Sequence, residues 1–213
     1  MEINQGGCLD KMAHLLENYK VIPVIVLTHE EDAKQKLSSL RNGNVLIAEI
    51  TFRSEYALEG IKYAIKHFPD LLVGAGTVVN KQQCEQAIEA GCKFIVSPGL
   101  SKEIATKCKE KNIPYLPGCI TPTEIMAALE LGINVVKFFP AQDFGGLKTI
   151  KSLSSVFPQV KFVPTGGIDN SNLEEYLSQK FILSVGGTWL FKGDISDNFK
   201  KTNAILEKIK QVE

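Results

Sequence analysis

Short apolar runs rich in β-branched residues recur roughly every 20 to 27 residues, and the stretches between them have the period of amphipathic helices. The eight runs are VIPVIVL, NVLIAEITF, LLVGAGTV, FIVSPGL, IPYLPGC, NVVKFFPA, KFVPTGGI and SVGGTWLF. This alternation is typical of a parallel α/β sheet, and eight such units in a chain of 213 residues favour a single-domain (β/α)8 TIM barrel over residues 1–213. A short helix around residues 8–18 precedes the first run.

The main alternative is an open, doubly wound sheet. That architecture commonly opens its first helix with G-x-G-x-x-G, and no such motif follows the first run. Helix signals fall between the runs, as in TPTEIMAALELG, where Thr121 is the predicted N-cap, Pro122 the first helical residue, Glu124 the partner in a capping box and Gly132 the stop. The pattern therefore favours the barrel.

Composition and charge exclude several classes of function. Lys plus Arg and Asp plus Glu number 24 each, so no net charge would attract nucleic acid or an acidic membrane. No apolar run approaches the roughly 20 residues that span a bilayer, and the N-terminus lacks the pattern of a signal peptide. The five cysteines have no C-x-x-C spacing, which predicts reduced thiols in a cytoplasmic protein without a metal site.

Polar residues interrupt three of the runs near their C-terminal ends. Strand alternation groups each of them with apolar residues on one face: Val45, Ile47, Glu49, Thr51 and Arg53; Val73, Ala75 and Thr77; Val135, Lys137 and Phe139. If these faces line the inside of a barrel, their polar members meet at the edge where barrel enzymes hold their active sites.

Each polar residue also has a purely structural interpretation. Glu49 and Lys137 could form a buried ion pair, Thr77 could be an ordinary strand residue, and Arg53 could begin the next helix in solvent. The glycine pairs in TGGI and GGTW could be tight turns, although barrels often bind phosphate after strands seven and eight. The clustering of polar residues at several strand ends favours a site over these alternatives.

Seven motifs occur in an order that resembles the bifunctional 2-keto-3-deoxy-6-phosphogluconate (KDPG) / 4-hydroxy-2-oxoglutarate (KHG) aldolases. They are AEITFR, VGAGTV, SPGL, PGCITPTE, KFFPA, PTGGI and GGTW. The resemblance runs from about Pro23 to Phe191. It implies a homotrimeric barrel that reversibly cleaves KDPG to pyruvate and glyceraldehyde 3-phosphate, or KHG to pyruvate and glyoxylate, through a Schiff base and without a metal or other cofactor.

The resemblance also assigns roles to individual residues. Lys137 matches the imine-forming lysine, and Glu49 matches the general acid and base. The residues that match contacts to the pyruvyl part of the substrate are Arg53, Thr77, Pro98, Phe139 and Thr165. Those that match the phosphate loops are Gly166, Gly167, Gly187 and Thr188.

The residue types suit this chemistry. Only a neutral amine attacks a ketone, and the apolar neighbours of Lys137 disfavour its charged form. The resulting imine accepts electrons when the carbon–carbon bond breaks, while a carboxylate such as Glu49, acting through water, moves the protons.

Two positions depart from the family pattern: Leu27 stands where some members have arginine, and Thr188 stands where many have serine. The related phosphogalactonate aldolases are one alternative, and they resemble the chain less because they lack the arginine of TFR and usually read K-I-F-P. Two further alternatives are a phosphosugar isomerase or synthase that works without a covalent intermediate, and a phosphosugar-binding barrel without catalysis.

Overall fold

A computed structural model describes the backbone of residues 9–211 and the side chains of residues 11–211. Strands and helices alternate along this part of the chain. The strands are β1 (Val21–Ile25), β2 (Ile47–Thr51), β3 (Leu72–Gly76), β4 (Phe94–Val96), β5 (Tyr115–Leu116), β6 (Val135–Phe138), β7 (Lys161–Pro164) and β8 (Val185–Gly187).

The helices cover the intervals between the strands and continue to the end of the described chain. They are α1 (Leu9–Leu16), α2 (Glu30–Asn42), α3 (Ala57–His67), α4 (Lys81–Glu89), α5 (Lys102–Glu110), α6 (Pro122–Glu130), α7 (Gly146–Val156), α8 (Leu173–Leu177) and α9 (Ile195–Lys210). Two short 3-10 helices, Gln142–Phe144 and Trp189–Phe191, follow β6 and β8. The predicted N-terminal helix is confirmed over Leu9–Leu16, and Cys8 lies outside the described residues.

All strand pairs are parallel. Six strands form one sheet in the order β5-β4-β3-β2-β1-β8, and β6 pairs with β7. Isolated parallel bridges join Gly118 to Lys137 and Thr165 to Gly186, and these bridges lie between the two sheets. The fold is therefore α/β with a curled parallel sheet, and its strand order differs from that of a doubly wound sheet.

Each apolar run of the sequence contains one strand, but every strand is shorter than its run. The run KFVPTGGI, for example, yields a strand over Lys161–Pro164, and its last four residues form the following loop. Apolar character alone does not separate a strand from a buried loop end, because both are packed in the core.

The register of the sheet corrects the predicted face of the third run. Glu49 pairs with Gly74, and Thr51 pairs with Gly76. Neighbours in a parallel sheet point to the same side, so Val73 and Ala75 lie on the face opposite Glu49. The prediction that these two residues share the side of Glu49 is wrong, because alternation groups residues within one strand but does not give the register between strands.

Helix caps agree with the predicted signals. Thr121 Oγ1 accepts from the N–H of Glu124, and the Glu124 carboxylate accepts from the N–H of Thr121, which confirms the capping box. Gly132 follows α6 with a φ of +78°, a left-handed conformation that favours glycine at a helix end. None of the helices within residues 9–211 combines the length and apolar character needed to cross a bilayer.

Candidate active site

A cavity of about 550 Å³ lies at the carboxyl ends of the strands. Its walls include all eleven residues that the sequence analysis selected: Glu49, Arg53, Thr77, Pro98, Lys137, Phe139, Thr165, Gly166, Gly167, Gly187 and Thr188. These residues come from β2, β6 and β8 and from the segments that follow six of the strands. The fold thus brings the predicted site residues together, although proximity alone does not assign their roles.

Lys137 and Glu49 meet at the buried end of this cavity. The Lys137 Nζ lies 3.1 Å from Oε1 and 3.3 Å from Oε2 of Glu49, and the two residues are 6% and 2% exposed. Two charges removed from water in this way need each other as partners. The same contact also gives a direct path for a proton from the amine to the carboxylate, after which the amine is neutral and nucleophilic.

Backbone hydrogen bonds hold Lys137 in place, and the ring of Phe139 lies near its amine. Its N–H donates to the carbonyl of Pro117, and its carbonyl accepts from the N–H of Cys119. The Nζ lies 5.4 Å from the centre of the Phe139 ring, and this ring is 36% exposed at the cavity wall. A fixed backbone and a buried position orient the amine and keep most water away from it.

Glycines on neighbouring strands leave the space that the buried side chains of Glu49 and Thr165 occupy. A Cβ at Gly76 would overlap the Glu49 carboxylate, approaching its Cδ to 2.7 Å, and a Cβ at Gly186 would overlap Thr165 Oγ1. Glu49 and Thr165 therefore have their positions because the neighbouring strands carry glycine at those points.

Thr77 reaches the cavity by a route that strand alternation does not predict. It is the first residue after β3, and its φ is +54°. A β-branched residue in the left-handed region is rare and strained, and such residues concentrate at functional sites. The conformation ends the alternation of the strand, so that Thr77 lines the same cavity as Glu49 although Val73 and Ala75 face the other way.

Thr77→Gly should separate stability from activity. Glycine relieves the strain of the positive φ but loses side-chain contacts, so we expect the free energy of unfolding to change by no more than about 1 kcal/mol. If Thr77 contributes to substrate binding, kcat/KM should fall at least about tenfold, because a hydroxyl is lost from the cavity wall. Urea denaturation and steady-state kinetics measure the two effects.

The matched control is Asn112→Gly, at an exposed position that also has a positive φ, +59°, outside the cavity. It should keep full activity. Full activity in Thr77→Gly as well would contradict a role for Thr77 in substrate binding.

Arg53 lies at the open side of the cavity and is exposed. Its Nε donates to Thr51 Oγ1 at 3.2 Å, and Thr51 Oγ1 in turn donates to the carbonyl of Ile25. Among residues 11–211, no carboxylate lies within ion-pair distance of its guanidinium group. The terminal N–H groups of Arg53 are therefore available to donate to a carboxylate ligand. Leu27, where some family members have arginine, is fully buried and does not line the cavity.

The two glycine-pair loops form another wall of the cavity. Gly166 and Gly167 have φ values of +101° and +74°, conformations that other residues adopt rarely. A Cβ at Gly166 would come within 3.2 Å of the Pro140 Cα, so the loop packs closely on the segment after β6. Thr188 follows β8 immediately and is partly exposed. Such loops allow a ligand to approach backbone N–H groups.

Five lining residues were missed by the sequence analysis: Val24, Ile168, Asp169, Trp189 and Lys192. The two charged ones stand close to the selected motifs, Asp169 two residues after Gly167 and Lys192 four after Thr188. Hydrogen bonds from Ser171 hold the pKa of the Asp169 carboxyl below its usual value, and the charge of Lys192 adds to this effect.

Among residues 11–211, no group of three or more His, Cys, Asp and Glu side chains could hold a metal ion.

A parallel α/β fold with a cavity at the strand ends, lined by a buried lysine and glutamate, is the architecture of the α/β class of enzymes. The sequence matches the family model described as "Aldolase: KDPG and KHG aldolase" over residues 12–207. The chain therefore belongs to the KDPG and KHG aldolase family.

Curated and solved relatives agree with this assignment. The KHG/KDPG aldolase of Escherichia coli K12 is 40% identical over 180 residues, which cover 84% of each chain. The KDPG aldolase of Zymomonas mobilis, solved with 3-phosphoglycerate, is 39% identical with a TM-score of 0.84 and covers 90% of this chain and 93% of its own. The Legionella pneumophila KDPG aldolase, solved with pyruvate as a covalent carbinolamine, is 38% identical with a TM-score of 0.83, covering 91% and 95%.

Proposed function

We propose that the protein is a class I aldolase that reversibly cleaves KDPG to pyruvate and glyceraldehyde 3-phosphate, KHG to pyruvate and glyoxylate, or both. The observation that carries this proposal is the contact of 3.1 Å between the buried Lys137 amine and the Glu49 carboxylate inside the cavity. Family membership supports the same reaction, since its curated relatives are named as KHG/KDPG and KDPG aldolases.

The proposed reaction begins when Glu49 takes a proton from Lys137, and the neutral Nζ attacks the C2 ketone. Loss of water from the resulting carbinolamine forms an imine. A base then removes the proton of the C4 hydroxyl, the C3–C4 bond breaks, and its electron pair moves into the imine to give an enamine. The aldehyde leaves, C3 takes up a proton, and water releases pyruvate and restores the amine. Glu49 lies within hydrogen-bond distance of Nζ and can therefore take the amine's proton and return it. We also propose Glu49 as the base for the C4 hydroxyl and the acid for C3.

We propose that the pyruvyl carboxylate binds on the side of Arg53 and Thr77, with Pro98, Phe139 and Thr165 shaping the surrounding wall. The available guanidinium group of Arg53 supports this orientation. The route requires no metal ion or organic cofactor, because the imine itself is the electron acceptor.

The two glycine-pair loops are our candidate phosphate site, with ligands from the backbone of Gly166, Gly167 and Gly187 and from the Thr188 hydroxyl. Thr188→Val keeps the shape of this side chain but removes its hydroxyl. We expect KM for KDPG to rise about fivefold to tenfold, since one hydrogen bond to a charged group contributes about 1.5–3 kcal/mol before solvent weakens it. KM for KHG should stay within about twofold. Steady-state kinetics on both substrates measures the difference, and equal losses would contradict the phosphate assignment.

We propose that the eight strands close into one (β/α)8 barrel that comprises a single domain. The bridges from Gly118 to Lys137 and from Thr165 to Gly186 support closure, because they join the two sheets on both sides of the β6-β7 pair. A hydrophobic core that takes residues from all eight strands supports a single domain.

We further propose a cytoplasmic homotrimer. Val79 lies in the segment after β3, Met126 lies in α6, and Phe144 lies in the 3-10 helix after β6. Each is about half exposed, and these apolar side chains are our candidates for contact between subunits. Light scattering should give the mass of three chains. Phe144→Asp should shift that mass towards the monomer, while Val156→Asp, an exposed residue at the end of α7, should not. A monomeric wild-type protein would contradict the trimer.

The decisive experiment is a comparison of kcat/KM for KDPG, its galactonate epimer and KHG, with lactate dehydrogenase coupled to pyruvate release. We expect KDPG or KHG to be the better substrate. Preference for the epimer would instead identify a phosphogalactonate aldolase, and absence of pyruvate from all three would reject the proposed reaction.

A further inference from the structure

Lys192 is a cation at the cavity wall that the proposed reaction does not use. Its backbone is fixed, because its N–H donates to the carbonyl of Trp189 at 3.0 Å and its own carbonyl accepts from Asn198 Nδ2 at 2.6 Å. The residue is exposed, so its long side chain is free to reach a ligand. Among residues 11–211, no carboxylate lies within ion-pair distance of its Nζ.

The residues of the glycine-pair loops supply no positive charge for a bound phosphate. Gly166, Gly167, Gly187 and Thr188 carry no charge, and Asp169 on the same wall is an anion. Elsewhere in the cavity lining, Glu49 neutralises Lys137, and Arg53 follows β2. A phosphate dianion bound at the loops would therefore face the carboxylate of Asp169. Lys192, four residues after Thr188, is the lining cation nearest to these loops in the sequence.

We propose that Lys192 is a specificity-determining residue that binds the terminal phosphate of the phosphorylated substrate, while Asp169 weakens the binding of that group. The inference rests on the proposed phosphate site and extends it by two residues outside the sequence motifs. A substrate without phosphate would gain nothing from Lys192, so the lysine would raise selectivity for KDPG over KHG.

Equilibrium binding tests this inference without relying on turnover. We would titrate 3-phosphoglycerate, glycerate and pyruvate into the intact protein by calorimetry. Lys192→Met should weaken 3-phosphoglycerate binding about fivefold to tenfold, an effect limited by solvent exposure of the lysine. Glycerate and pyruvate binding should change less than about twofold. Lys192→Arg should restore most of the affinity, because it keeps the charge.

Two variants control for general changes in charge and folding. Lys200→Met removes an equal charge from an exposed position of α9 outside the cavity and should bind 3-phosphoglycerate like the wild type. Asp169→Asn should bind it about twofold to fivefold more tightly, because a nearby anion is removed while an oxygen remains to accept from Ser171. A gain of affinity would not result from damage to the fold.

The outcomes distinguish this inference from the proposed function. Equal 3-phosphoglycerate affinities in Lys192→Met and Lys200→Met would overturn the role of Lys192, even if the wild type cleaves KDPG. Equal weakening of pyruvate and 3-phosphoglycerate would also overturn it. A wild type that binds 3-phosphoglycerate through Lys192 but releases no pyruvate from KDPG would overturn the proposed reaction alone.

Discussion

Lys137→Met should abolish the covalent adduct that borohydride traps in the presence of pyruvate, and should lower kcat/KM by about 10⁴-fold or more. Methionine has a similar length but no amine, so neither the carbinolamine nor the imine can form. A loss of 10⁴-fold corresponds to about 5.4 kcal/mol of transition-state stabilisation. Peptide mass mapping of the wild type should locate the reduced adduct on Lys137, and steady-state kinetics should measure the loss.

Lys137→Arg separates the nucleophile from a structural ion pair. Arginine keeps a cation that can contact Glu49, but its guanidinium group stays protonated and does not form the imine. We expect Lys137→Arg to fold and to be as inactive as Lys137→Met. If arginine instead preserved activity, or if borohydride trapped pyruvate on another residue, Lys137 would serve as the partner of Glu49 and not as the nucleophile.

Gly76→Ala should lower kcat about 100-fold, a magnitude typical of losing a positioned general acid or base. The added Cβ would overlap the Glu49 carboxylate and force it away from Lys137 Nζ. We expect a loss of about 1–3 kcal/mol in the free energy of unfolding as well, because the added methyl group overpacks a buried site. Kinetics and urea denaturation of the same preparation give both values.

Gly74→Ala is the matched control, since it adds the same methyl group on the same face of β3 but against the ring of Phe94. It should lose comparable stability and retain most of its kcat. Equal losses of kcat in the two variants would show that overpacking of β3, and not displacement of Glu49, causes the effect.

The sequence predicted the number and order of the strands because each apolar run must be buried to form a core. It did not predict where each strand ends, since runs such as KFVPTGGI continue into buried loops. It also assigned Val73 and Ala75 to the side of Glu49. That assignment depends on the register between β2 and β3, which is set by packing over the whole sheet.

The sequence selected residues that line the cavity where a polar side chain interrupts an apolar run, as with Lys137 and Glu49. Thr77 was selected although its route into the cavity depends on a positive φ that no local pattern of Thr-Val-Val indicates. Asp169 and Lys192 were missed because charged residues beyond a strand end look like ordinary solvent-exposed positions in a sequence. Their position a few residues after the TGGI and GGTW motifs was the one sequence feature that could have indicated a place in the cavity wall.

The two hydrogen bonds that hold the backbone of Lys137 have a consequence for evolution. Both join it to the short segment Pro117–Cys119, and a Cβ at Gly118 would collide with the carbonyl of Pro98, another residue of the cavity wall. A shift of about 1 Å in a reacting group can cost about 100-fold in rate. Substitutions in Pro117–Cys119 that move its backbone should therefore also move the Lys137 amine. The segment is constrained in this way even if its side chains do not touch the substrate.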